Sequence, residues 1–141
     1  MTGSRSQLYR VRRRNNMAFD IYQEEIIEHY KNPQNKGVIE HPDMFSHGNN
    51  PVCGDDITVY LRVNDGIIED VKFDGRGCAI SQASASMLTE KVKGMMLAEV
   101  AKLTADDIKE MLHIPLSAVR MKCATLSLNT MHQATAGGAV R

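Results

Sequence analysis

Hydrophobic and polar positions alternate in two adjoining stretches of this chain. Ile57, Val59, Leu61 and Val63 alternate with Thr58, Tyr60 and Arg62, and Ile67, Glu69, Val71 and Phe73 alternate with Ile68, Asp70 and Lys72. A period of two predicts half-buried strands, and Asn64-Asp65-Gly66 between them is a hairpin turn signal. Upstream, Phe19, Tyr22, Ile26 and Tyr30 recur at helical spacing with Glu24, Glu25 and Glu28 between them. This predicts an amphipathic helix of about three turns, capped by Asp20 and ended at Asn32-Pro33. Residues 32–52 are polar and broken by Gly37, Pro42, Gly48 and Pro51. They read as a long loop carrying at most a short edge strand near Met44-Phe45.

After the hairpin the pattern changes at Gly75-Arg76-Gly77-Cys78, where two glycines imply tight or left-handed backbone. A helix is predicted from Ser81, as its N-cap, to Lys93, with Gly94 as its stop. Leu97, Val100, Ala101 and Leu103 suggest a short helix, and Thr104-Ala105-Asp106-Asp107 resembles a capping box opening another. Pro115 interrupts, and a final helix from about Ser117 is expected to bury Val119, Cys123 and Leu126. The tail Ala136-Gly137-Gly138-Ala139 is expected to fray. Together these elements predict an α+β fold, a small antiparallel sheet with helices packed on one face.

Composition adds little to this and charge adds one asymmetry. A 43% hydrophobic, 24% charged chain of 141 residues reads as one ordinary domain, and no apolar run is long enough to span a membrane. The absence of tryptophan argues against stacking on nucleic acid bases. Formal net charge is zero, yet residues 1–16 hold five arginines and no acid, leaving 12 basic against 17 acidic residues in the body. Residues 1–16 read either as a basic disordered leader or as translated upstream sequence with the true start at Met17, ahead of a single domain over 17–141. An odd count of three cysteines with no secretory signal favours a reducing, cytoplasmic setting and metal or thiol chemistry over a disulfide framework.

The hairpin has a chemical consequence. Cys53 lies just before its first strand and Cys78 just after its second, so two sulfurs 25 positions apart reach the same sheet edge. Cys78 also stands beside a helix N-terminus, where free N–H groups favour negative charge on sulfur. Cys53 and Asp55 are separated by one glycine, which lets both side chains converge. With Cys123 they make three thiolates and a carboxylate, enough for a tetrahedron around Zn²⁺ or ferrous iron. A closed structural zinc site uses sulfur and imidazole, so the hard oxygen of Asp55 marks an exchangeable position.

Asn50-Pro51-Val52-Cys53-Gly54-Asp55, then Gly77-Cys78-Ala79-Ile80-Ser81 with Ala83-Ser84-Ala85-Ser86, then Lys122-Cys123-Ala124-Thr125-Leu126 resemble the three cysteine motifs of iron–sulfur cluster assembly scaffolds. This is the family of IscU, SufU and the N-terminal domain of NifU, and the resemblance covers about residues 19–132. It implies a three-stranded sheet and a site at Cys53, Asp55, Cys78 and Cys123 that holds zinc or a transient [2Fe–2S] cluster. It also implies a PLP-dependent cysteine desulfurase as sulfur donor, Cys123 as the persulfide acceptor, and apo iron–sulfur proteins as recipients. A weak homo-oligomer is compatible with it. IscU-type members have a histidine before the third cysteine and an upstream Leu-Pro-Pro-Val-Lys motif. Here Lys122 and Ile114-Pro115-Leu116-Ser117-Ala118-Val119-Arg120 stand in those places, so a dedicated Hsp70 partner is not implied. Lys122 and the Cys-Ala-Thr-Leu-Ser ending are SufU-like, yet the Cys78-to-Cys123 spacing is too short for the SufU insertion.

Four functions compete at this point: a cluster scaffold, a zinc-dependent sulfur acceptor that activates a desulfurase, a structural zinc module, and a thiol enzyme. Asp55 disfavours the structural module, and no histidine is placed beside a cysteine for the enzyme. His29 and His132 fall on helices and read as boundary residues, while His41 and His47 lie in the long loop, within reach of the site for His47. Arg76 either guides a persulfide or is a solvated turn arginine. Lys122 either lowers the Cys123 pKa or is an exposed helix lysine.

Overall fold

The hairpin forms as its alternation requires. In the computed structural model, which describes residues 21–136 and the backbone of 139–140, β2 (Asp55–Asn64) pairs antiparallel with β3 (Ile67–Arg76). Asp65 and Gly66 join them, both at positive φ (53° and 77°), the geometry that a two-residue turn matched to strand twist demands. Ile57, Val59 and Leu61 of β2 are buried, each worth about 1.5–3 kcal/mol when taken from water.

The returning strand departs from simple alternation. Arg62 pairs with Asp70 but Val63 pairs with Ile68, so Glu69 is the extra residue of a β-bulge. The bulge reverses the phase: Ile68 joins Val71 and Phe73 in the core, and Ile67 is left 42% exposed. Strict alternation would have turned Ile67 inward.

The long polar loop is corrected too. Met44–Asn50 forms a seven-residue strand, β1, paired with β2 from Met44↔Leu61 to Asn50↔Asp55. Its residues have weak strand preference of their own, and pairing with a buried neighbour overrides it. Of the tail expected to fray, Gly137 and Gly138 lie outside the described residues, and Ala139 belongs to β4 (Ala139–Val140), which pairs with Phe45 and Met44. The sheet order is β3-β2-β1-β4, a three-stranded core with a two-residue edge. The outer edge of β3 is covered by backbone bonds to Asn35, Gly37, Gly94 and Met95.

Helices cover one face of this sheet. Helix α1 runs through residues 21–31, followed by α2 (Ala79–Val92), α3 (Leu97–Val100), α4 (Ala105–Leu112) and α5 (Ala118–Thr135). Helices α2 and α5 pack on each other and on the strands, closing a core around Phe73, Leu88 and Met131. The Thr104 N–H donates to Asp107 Oδ2 at 2.7 Å, the expected capping box of α4. On α1, Ile26 is buried, Tyr22 stacks on His113 with centroids 4.3 Å apart, and Tyr30 is exposed rather than part of the apolar stripe. The expectations for the 1–16 leader, Met17, Phe19 and Asp20 lie outside the described residues. Among the described residues no helix is long and apolar enough to cross a membrane.

Candidate metal centre

β1 ends at Asn50, whose carbonyl accepts from the N–H of Cys53 (3.2 Å) and of Gly54 (2.9 Å). The chain turns there and re-enters the sheet at Asp55, opposite Asn50. Gly54 sits at φ 72°, so the turn needs a residue free of a Cβ penalty between the sulfur and the carboxylate. At the far end of the hairpin, the pairing of Asp56 with Arg76 delivers Cys78 to the same place. The Cys78 N–H donates to Asp55 Oδ1 at 2.8 Å.

Cys78 itself is the N-cap of α2, and Ser81, expected in that role, is inside the first turn. The Ser81 hydroxyl lies 3.2 Å from Asp55 Oδ1 and 3.0 Å from the Cys78 carbonyl, so it holds the carboxylate rather than capping the helix. Gly77 fits between these groups because a Cβ there would run into the Asp55 carboxylate and the Ser81 hydroxyl.

One oxygen of Asp55 is thus well held. The other is not: Asp55 is 1% exposed, and its Oδ2 has no hydrogen-bond partner. A buried carboxylate oxygen left without a partner is costly and calls for a cation. Beside it, Cys123 Sγ lies 3.0 Å from Cys53 Sγ, and one ligand atom from each of Cys53, Asp55 and Cys123 fits within 4.8 Å. The donor set therefore fits a thiophilic divalent ion. Cys78 is outside that tightest trio, but its side chain is close enough to act on the Cys123 thiol.

Cys123 is buried on α5 as expected, at the sixth residue of this 18-residue helix, whereas Val119, also expected inside, is half exposed. Burial pushes the Cys123 thiol pKa up, and the neighbouring side chains of Cys53, Asp55 and Cys78 add to that. No helix N-terminus is there to offset the effect, and Lys122 points to solvent. His47 does not join the cysteines, because its Nε2 pairs with Asp56 Oδ1 at 2.5 Å. His29 and His132 bond Ser86 Oγ and the Val100 carbonyl as boundary residues.

Two residues escaped the sequence reading. The Asn50 amide Nδ2 lies 3.7 Å from Cys123 Sγ. The Lys36 ammonium donates to the Gly75 carbonyl (2.8 Å) and to Gln82 Oε1 (2.9 Å), tying the loop after α1 to the segment leading into Cys78. Asn50 stands inside the first cysteine motif and could have been singled out there; nothing local marks Lys36.

A model of the NifU-like N-terminal domain matches residues 21–137. The chain belongs to that family. Over 114 residues this NifU-like chain is 40% identical to an iron–sulfur cluster assembly scaffold protein, IscU 1, of Archaeoglobus fulgidus, covering 81% of this chain and 74% of the relative. It is 36% identical over 133 residues to the zinc-dependent sulfurtransferase SufU of Bacillus subtilis, covering 82% and 90%. A crystal structure from Fervidobacterium islandicum AW-1, assigned to a cluster assembly scaffold of the SUF system, superposes with a TM-score of 0.67 at 29% identity over 79% of this chain and 94% of that one.

Proposed function

We propose that this NifU-like domain is an iron–sulfur cluster assembly scaffold. Cys53, Asp55, Cys78 and Cys123 receive iron, with sulfur delivered by a PLP-dependent cysteine desulfurase, and hold a transient [2Fe–2S] cluster that passes to apo acceptor proteins in the cytoplasm. The observation that carries the reading is the unpaired, buried Asp55 Oδ2 beside the Cys53 and Cys123 sulfurs. A hard oxygen among thiolates binds iron weakly, which suits cargo that must leave. The named function of the Archaeoglobus relative supports this assignment.

Sulfur is received at Cys123 in this scheme. Because that side chain is buried against Cys53, the Pro51–Gly54 turn must swing aside for a persulfide donor to reach it. Val52 on the turn is 69% exposed, so the moving part is lightly packed.

A second reading is a zinc-dependent sulfur acceptor. It is favoured by the near full-length match to the Bacillus protein of that name and by a lysine, not an imidazole, before Cys123. Zn²⁺ would then sit on the same residues and hold the thiolates deprotonated.

Anaerobic incubation with ferrous iron, cysteine and a desulfurase tests both. Visible absorption bands of a [2Fe–2S] cluster with two irons per chain are expected. Stimulated desulfurase turnover with one zinc and no cluster would favour the second reading, and neither outcome would refute the site.

A further inference from the structure

We propose that Asn50 designates Cys123 as the sulfur that leaves the metal, by donating its side-chain N–H to that sulfur and to no other. The inference rests on the metal-site reading above. Asn50 is buried (8% exposed), and its Nδ2 lies 3.7 Å from Cys123 Sγ, an ordinary length for an N–H···S contact. Its main-chain oxygen meanwhile closes the Cys53–Gly54 turn. One residue therefore joins the two halves of the site, with its backbone on Cys53 and its side chain on Cys123.

The chemistry is unequal for the three sulfurs. An N–H directed at a metal-bound thiolate draws on the lone pair that the metal would otherwise use, and hydrogen bonds to sulfur tune such sites. Among the described residues, Cys123 is the cysteine whose sulfur receives a side-chain amide N–H; the corresponding contact of Cys78 is its own backbone N–H, given to Asp55. Cys123 is thereby the weakest thiolate donor of the set. When it dissociates, the same N–H keeps its buried sulfur solvated, which an apolar neighbour could not do. The Asn50 carboxamide thus lowers the bond strength in the loaded state and holds the freed sulfur in place for transfer.

The test uses the full chain loaded with Co²⁺ or Zn²⁺. In the Co²⁺ form, Asn50→Leu is expected to move the sulfur-to-metal charge-transfer band to lower energy, and Asn50→Asp to move it further, as a donor is first lost and then replaced by an anion. Release of Zn²⁺ from Asn50→Leu to a chelator is expected to slow by on the order of tenfold. In the parent, which needs no substitution, Zn²⁺ loading should shift the Asn50 side-chain amide proton resonances downfield. A band and a release rate unchanged from the parent, or amide resonances indifferent to Zn²⁺, overturn the proposal while leaving the metal site standing. A parent chain with no thiolate band at all overturns the site reading and this proposal with it.

Discussion

The two sides of the candidate metal site are built in different ways. On the hairpin side, Cys53, Asp55 and Cys78 are placed by backbone: a turn closed on the Asn50 carbonyl, the β1–β2 and β2–β3 registers, and the Cys78 N–H given to Asp55. On the helix side, Cys123 sits inside α5 and meets the hairpin through side chains alone, the Asn50 amide and the Cys53 sulfur. The hairpin sulfurs Cys53 and Cys78 are partly open, whereas Cys123 is fully buried. A backbone mount fixes where a ligand stands in the free protein. A side-chain mount can be released without disturbing the fold, which is what a site that loads and unloads requires.

The largest expected effect comes from removing the helix side. Cys123→Ser should keep the fold, since the sheet and α2 do not depend on the sulfur. It should lower Zn²⁺ affinity by more than the roughly 100-fold seen for loss of groups that merely support a ligand. Sulfur transfer should vanish, and mass spectrometry after incubation with desulfurase and cysteine should place the extra sulfur of the parent on Cys123. Extra sulfur found mainly on Cys53 or Cys78 would invert the comparison, making the backbone-mounted side the carrier.

Metal removal comes next. Three sulfurs and a buried carboxylate converge without a countercharge, so a bound ion stabilises the whole fold by mass action. At a thousandfold excess over Kd this is about 4 kcal/mol, enough to raise Tm by roughly ten degrees for a domain of this size. Added hydrogen-exchange protection should appear first where the two sides meet, at the 50–55 turn and around Cys123. A Tm indifferent to Zn²⁺ would mean that the two sides are not joined by a shared ion.

The two glycines of the hairpin side give a smaller, more local contrast. Gly77→Ala drives a methyl group into the Asp55 carboxylate and Ser81, an overpacking cost of about 1–3 kcal/mol. Gly54→Ala meets no neighbour within 4 Å and incurs only left-handed backbone strain of about 1–2 kcal/mol. Both should lower Tm, but Gly77→Ala should weaken Zn²⁺ binding more, because it alone displaces a ligand. Equal losses of affinity would show that turn strain, not carboxylate placement, governs the site.

The same contrast explains what the sequence disclosed. The hairpin side is written locally: alternation sets the strands, Asn64-Asp65-Gly66 sets the turn, and the positions of Cys53 and Cys78 follow. The bulge at Glu69 was hidden because Ile67 and Ile68 are both apolar and either phase looks sound. β1 was hidden because Ser46, His47, Gly48 and Asn49 have no strand preference until Asp55–Leu61 pairs with them. Val119 was expected inside and is half exposed, because α5 is buried at Cys123, Ala124, Leu126, Ser127, Leu128, Thr130 and Met131, too many sides to show one face. The contact of Asn50 with Cys123 spans 73 positions and leaves no periodic trace.

The last prediction divides Asp55 itself, which belongs to both designs at once. Its Oδ1 is structural, accepting from the Cys78 N–H and facing Ser81, while its Oδ2 is free for a metal. Asp55→Ala removes both roles and leaves the partly buried Cys78 N–H without its acceptor, costing on the order of 1 kcal/mol. Asp55→Asn separates them. The amide must turn its oxygen toward the Cys78 N–H, which keeps the hairpin mount, and its NH₂ then stands where Oδ2 was and cannot ligate. It also removes one negative charge from a pocket where three sulfurs already converge in low dielectric. The Asn variant should therefore melt close to the parent without metal, whereas the Ala variant melts lower. In both, a reconstituted cluster should persist longer than in the parent, because the weakly bound, exchangeable oxygen and its charge are gone. The decay of cluster absorbance under a chelator measures this directly. Faster decay in Asp55→Asn than in the parent would show that the carboxylate anchors the cargo rather than easing its departure.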